Sequence, residues 1–206
     1  MILEKNYLEK LPKNQLLELA EFIVTENFKH HSSNGLPKNY KDDVNSIYKE
    51  ELSFYENSEV FISKNHAGAI LAAIRILKWN GVDVLPLQKI FGINPLSALS
   101  LPNVHKIYHI GRFAVKKELR DINLFKKLLL CAAKLICHHS SNVAFAECDS
   151  KLLRILRLLG VKALVIGESV NYLGSKTIPI AITYEGVIDF YTKNKSLVSK
   201  RDFYSY

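Results

Sequence analysis

The chain has 206 residues, 48% apolar and 23% charged, an ordinary globular composition with enough length for one well-cored domain spanning 1–206. Glu4 and Lys5 interrupt the apolar core that a secretory signal needs, and no apolar run reaches the roughly 20 residues that span a bilayer. A soluble, cytoplasmic protein with no transmembrane segment is expected.

A net charge of +8 favours an acidic partner: nucleic acid, an anionic membrane surface or an acidic carrier protein. The basic residues are spread along the whole chain, with no helix-turn-helix or zinc-finger signature, so nucleic acid is not expected. Cys131, Cys137 and Cys148 show no CxxC spacing and lie in apolar surroundings, which reads as three reduced thiols. Metal binding is not expected either. His30-His31 and His138-His139 are sequence neighbours, which point apart on a helix, and Glu26 and His30 are the one pair at a chelating interval.

In chain order, Asn14 to Phe28 reads as an amphipathic helix from the spacing of Leu16, Leu17, Ala20, Ile23 and Val24. His30 to Tyr40, with Ser32, Ser33, Asn34, Gly35 and Pro37, is a loop. A second helix, Tyr40 to Tyr55, opens on Asp42 and Asp43, where the helix dipole favours negative charge. Strands are predicted at Glu59 to Lys64 and Ala67 to Trp79, the latter ending on the turn Asn80-Gly81. An irregular stretch with Pro86, Gly92, Pro95 and Pro102 suggests a surface insertion over a cleft. Then come a strand, Lys106 to Val115, and a helix, Ile122 to His138, that turns Lys126, Lys127 and Lys134 outward. Val143 to Cys148 is a strand, and Lys151 to Leu159 a helix capped by Asp149 or Ser150 and ended by Gly160. Val161 to Gly167 and Thr177 to Tyr184 close the pattern, joined by a turn at Gly174-Ser175. A charged, loosely held tail is expected after Lys193. This order gives an α/β fold around a mostly antiparallel central sheet flanked by helices.

His109-Ile110-Gly111-Arg112-Phe113-Ala114-Val115 resembles the fourth strand of acyl-homoserine-lactone synthases and the related N-acyl amino acid synthases. Ile155-Leu156-Arg157-Leu158-Leu159-Gly160-Val161 resembles the Leu-Tyr-x-x-Leu-Gly-Phe text that closes the fourth helix of GNAT acyltransferases. Gly167 to Gly174, followed by Ile178-Pro179-Ile180, resembles the closing hairpin of the N-acyl amino acid synthases. The resemblance covers Glu59 to Tyr184 and implies a GNAT-like fold. It also implies N-acyl transfer with no permanently bound cofactor: the donor is acyl-phosphopantetheine on an acyl carrier protein, or acyl-CoA, and the acceptor a small amine such as an amino acid. The alternative is a non-catalytic GNAT-like module that binds an acyl chain or a carrier protein.

Within that resemblance the pantetheine arm pairs with the backbone of Phe113, Ala114 and Val115, freed by a bulge that Gly111 suggests. The family's Arg-Gly-x-Gly-x-Gly phosphate loop keeps Arg120, but Asp121, Asn123 and Phe125 stand at the glycine positions. Arg120 and the Asn123 amide are the donor-binding candidates there. Asp121 would repel a diphosphate, which shifts the expected donor from coenzyme A toward a carrier protein that Lys116, Lys117, Arg120, Lys126 and Lys127 could meet.

Acyl transfer to an amine needs a base for the amine and stabilisation of the thioester oxyanion. Glu147 lies in an otherwise apolar strand, so it either pairs with a basic neighbour such as Arg112 or faces a cleft. His109 stands where the lactone synthases carry an acidic residue; a strand histidine and a catalytic one are both open readings. Arg112 matches the family arginine, as a carboxylate-orienting group or as scaffold. The family's helix tyrosine is Leu156 here, no GxSxG elbow is present, and Cys148 reads as structural.

Overall fold

The structure, a computed structural model, describes residues 7–31, 35–99, 103–172, 175–199 and 202. The chain divides into two compact units. The first comprises Met1–Arg75, Arg112–Leu129 and Ser196–Tyr206, the second Ile76–Gly111 and Leu130–Lys195. The expected turn residue Gly174, together with Pro102 and Ser32 to Asn34, lies outside the described residues.

In the first unit, β1 (Glu9–Lys10) pairs antiparallel with β2 (Ser58–Lys64), Glu9 opposite Ile62, and β3 (Ile70–Lys78) follows β2 in strand order. The helices α1 (Leu16–His31) and α2 (Tyr40–Phe54) match their predicted positions. Leu16, Leu19, Ala20, Ile23 and Val24 of α1 are buried, as are Val44, Ile47 and Phe54 of α2, at the spacing that read as helical. The strand expected from Ala67 begins at Ile70, because a tight turn takes the preceding residues. Asn65 accepts both the Ala67 and Ala69 amides on its side-chain oxygen, at 3.0 and 2.9 Å.

In the second unit, β4 (Lys106–Val115, which continues into the first unit) pairs parallel with β5 (Asn142–Asp149), from Lys106 opposite Asn142 to Ile110 opposite Ala146. On its other side β5 pairs antiparallel with β8 (Ser175–Thr183), which also carries β6 (Leu164–Val165) and β7 (Val170–Tyr172). The Asp149 side chain caps α5 (Ser150–Leu158) by accepting from the Leu152 amide at 2.6 Å, and Gly160 adopts the expected left-handed conformation, φ 86°. The α4 helix spans Ile122–Ile136. Among the described residues no helix is long and apolar enough to cross a membrane. The fold is mixed α/β, mostly antiparallel, flanked by helices.

Three expectations are corrected. The proline-rich stretch holds a helix, α3 (Pro86–Phe91), started by Pro86 at its first turn and anchored by the buried Leu85 and Leu87, so it contributes to a core and does not merely cover one. The strand expected over Val161 to Gly167 shrinks to Leu164–Val165, and β7 is additional. The third correction concerns the residues between the last expected strand and the tail, for which no element was predicted. Thr183 caps a helix, α6 (Tyr184–Asn194), that buries Val187 and Phe190. Gly186 is required there, since a Cβ would stand 2.8 Å from the Lys162 carbonyl oxygen.

Asp202 also ties the tail down in the first unit. Its carboxylate, 0% exposed, accepts from the Leu8 amide (3.2 Å), the Lys127 ammonium (3.1 Å) and the Ser199 amide (2.8 Å). Burial alone would raise its pKa, but the hydrogen bonds from Ser199, Lys127 and Leu8 outweigh burial and hold it below the usual carboxylate value. Its contribution to stability is therefore complete above the ordinary carboxylate range and fades as pH falls through the lowered value. Asp202→Ala is expected to cost about 1–3 kcal/mol at neutral pH, read by urea unfolding, with a smaller cost in acid. A cost independent of pH would contradict the ionised latch.

Candidate active site

The two candidate bases, Glu147 and His109, meet. His109 on β4 and Glu147 on β5 both belong to the second unit. The register sets His109 opposite Phe145, and Glu147, two residues on, emerges on the same face of β5 as Phe145. His109 Nε2 stands 2.9 Å from Glu147 Oε2 and 3.1 Å from Oε1, with the imidazole 1% and the carboxylate side chain 11% exposed. This answers the burial cost that made Glu147 conspicuous in the sequence: its partner is His109, where Arg112 had been the suggested neighbour. The carboxylate is the more exposed member of the pair, and the buried imidazole fixes its orientation.

Burial, with Asp149 and Glu147 nearby, pushes the Cys148 thiol up to about 12, and burial pushes Cys137 up to about 11. A thiol so raised is protonated at neutral pH and a poor nucleophile, which agrees with a structural Cys148. Leu156, at the family's tyrosine position, is buried in α5.

In the first unit Arg112 engages two carboxylates of α2. Its Nε donates to Glu51 Oε1 at 2.7 Å and its Nη2 to Glu50 Oε1 at 2.6 Å. Arg75 of β3 donates from Nη1 to the same Glu51 oxygen at 2.6 Å, and its guanidinium lies 5.1 Å from the Phe54 ring centre. The left-handed residue in β4 is Arg112 itself, φ 55°, and not the glycine before it. A long side chain tolerates that strained conformation because two carboxylates hold its far end. The sequence signals for this cluster are a charged Arg75 inside the apolar run Ile70 to Leu77 and the adjacent Glu50-Glu51.

Beyond Arg112, Phe113, Ala114 and Val115 are half-buried and lie past the last residue of the β5 register. Phe113 packs edge-on against Phe125 of α4, ring centres 4.7 Å apart. The Lys116 amide donates to the Leu71 carbonyl at 2.8 Å. The Val115 carbonyl accepts from His30 Nε2 at 3.1 Å, and the Lys117 amide donates to Glu26 Oε2 at 2.8 Å. Glu26 and His30, the one chelating interval in the sequence, thus grip a backbone segment. Arg120 is exposed. The Asn123 amide donates to Asp121 Oδ1 at 2.8 Å, and the Leu124 amide shares that oxygen at 3.1 Å. Lys117 also donates to the Lys29 carbonyl, and Lys127 is held by Asp202, so these two expected carrier-facing cations already have contacts within the chain.

No protein-family model matches the sequence, nor does any curated protein sequence. Solved structures do match. An N-acyl amino acid synthase from uncultured soil microbes, FeeM, aligns with a TM-score of 0.62 over 92% of this chain and 96% of its own, at 14% identity. The CoA-dependent acyl-homoserine lactone synthase BjaI, solved with SAM and isopentyl-CoA, aligns at 0.56 over 94% and 92%, at 13% identity. A GNAT-family acetyltransferase from Staphylococcus aureus aligns at 0.53 over 86% of this chain and 98% of its own, at 12% identity. The fold is GNAT-like. All three neighbours are named as enzymes of acyl chemistry, and at these identities the likeness is one of fold.

Proposed function

We propose that the whole chain, 1–206, serves as one N-acyltransferase domain that moves a fatty acyl group from a pantetheine thioester to the amine of an amino acid or similar acceptor. The observation that carries this reading is the His109–Glu147 couple, a carboxylate backed by a buried imidazole at 2.9 Å on a GNAT-like strand. Glu147 takes the proton from the acceptor amine as its nitrogen attacks the thioester carbonyl. The C–N bond forms, the C–S bond breaks, and the thiol leaves with a proton. The backbone of Phe113 to Val115 extends past the β5 register, and this supports its pairing with the pantetheine arm.

The test is mass spectrometry of lipids and polar amines extracted from cells expressing the protein. A new acyl-amine, absent from cells carrying Glu147→Gln, is the expected result. An acyl chain co-purifying unmodified, with no new amide, would favour the non-catalytic binding module, which the loss of the helix tyrosine at Leu156 supports.

A further inference from the structure

In the second unit, apolar and basic side chains share the end of the sheet where β4 and β5 begin, Lys106 opposite Asn142. β3 ends there too, since the Trp79 amide donates to the Ile107 carbonyl at 3.0 Å. The turn that follows β3 is firmly held. Asn80 Oδ1 accepts the Val82 and Asp83 amides at 3.0 and 2.9 Å, and Trp79 Nε1 donates to the Asp83 carbonyl at 2.7 Å. Leu85 and Leu87, both buried, anchor the residues beyond. This fixed turn nevertheless presents Val82 and Val84 to water, 82% and 52% exposed, and Val104, two residues before β4, is 37% exposed. A single exposed valine is ordinary, but three at one end of a sheet make an apolar edge.

Basic groups surround that edge. Lys78 ends β3, His105 and Lys106 lead into β4, and His138 and His139 follow α4. The His105 and His139 rings stack with centres 4.3 Å apart, and the His105 amide donates to the Ser141 carbonyl at 3.0 Å. Desolvation, then repulsion from His139, Lys106, His138 and Lys78, holds the His105 imidazole below the usual histidine value. Of the acidic side chains at this end, Asp83 accepts from Asn80 Nδ2 at 2.9 Å, and Glu185 stands on the far side of β5, in the first turn of α6.

We infer that this end of the second unit docks on an anionic lipid bilayer, with Val82, Val84 and Val104 entering the headgroup region and Lys78 and Lys106 meeting the lipid phosphates. The charge of the surface selects an anionic partner, and the net charge of +8 acts in the same direction. The valines select lipid among anions. A nucleic-acid backbone would leave them in water, whereas a lipid interface takes up apolar side chains and binds basic ones at the same time. The inference does not depend on the acyl-transfer reading.

The test is co-sedimentation of the full chain, at neutral pH and low salt, with vesicles of phosphatidylcholine alone or with roughly one third phosphatidylglycerol. The wild type should partition onto the anionic vesicles roughly tenfold better than onto the neutral ones, and added salt should release it. Val82→Ser with Val84→Ser, and separately Lys78→Gln with Lys106→Gln, should each lower that partition by roughly tenfold. Thermal unfolding like that of the wild type shows that each variant has lost docking and not its fold. Equal partition onto both kinds of vesicle, partition onto neither, or anionic binding that survives the serine pair would overturn the inference. Duplex DNA that the wild type and the serine pair bind alike, and that displaces the wild type from the vesicles, would assign the surface to nucleic acid and overturn it as well.

Discussion

Glu147→Gln is expected to lower kcat for amide formation by roughly 100- to 10,000-fold, the range for removing a general base, with the donor KM little changed. The substitution isolates proton acceptance from structure. Glutamine keeps a carbonyl oxygen where Glu147 now accepts from His109 Nε2 at 2.9 Å, so the imidazole retains a partner and β5 retains its register with β4 and β8. What it loses is basicity and negative charge. Because the carboxylate is 11% exposed and the imidazole 1%, the defect belongs at Glu147, and a substitution at His109 would mix a folding cost with a kinetic one. Unchanged kcat in a folded Glu147→Gln variant would show that the amine loses its proton elsewhere.

Much of this site was legible in the sequence. An acidic residue inside the apolar strand Val143 to Cys148 announces an expensive burial, and such a residue is either paired or functional. The same logic applied to Arg75, inside Ile70 to Leu77, would have pointed to the Glu50-Glu51 pair. The partner itself was not legible, since Arg112 and Glu51 are 61 residues apart and nothing local links them. Strands and helices with clean periodicity, β4 above all, fell where the pattern placed them. The α6 helix did not declare itself: Gly186, the β-branched Val187 and Ile188, and the aromatic Phe190 and Tyr191 are weak helix formers. Its stability comes from the Thr183 cap and from burial of Val187 and Phe190, which are tertiary facts. Asp121 could be read as hostile to phosphate from sequence alone. That Glu26, 91 positions before Lys117, accepts from its amide could not be read.

Glu51→Ala is expected to destabilise the protein by about 3–5 kcal/mol, the cost of removing one member of a buried ion cluster. For a chain of this length that lowers Tm by roughly 6–20 °C. One oxygen of Glu51 accepts from Arg75 at 2.6 Å and from Arg112 at 2.7 Å, and the Arg75 side chain is 0% exposed. Truncation leaves two guanidiniums facing the single carboxylate of Glu50, 3.5 Å from Arg75 and 2.6 Å from Arg112. Glu51→Gln, which keeps the shape and loses the charge, should cost less. Pairing Glu51→Ala with Arg75→Met should recover part of the loss, because it removes the buried guanidinium that the truncation leaves short of a partner. A Tm within about 2 °C of the wild type for Glu51→Ala, less than 1 kcal/mol, would show that the cluster contributes little to the fold. Arg112 is also the strained residue of β4, and its left-handed backbone sets the direction in which Phe113, Ala114 and Val115 leave it. Arg112→Gly would accept the same φ without strain but release both carboxylates, so a large loss of stability in that variant would assign the role of Arg112 to its ion pairs and not to its backbone.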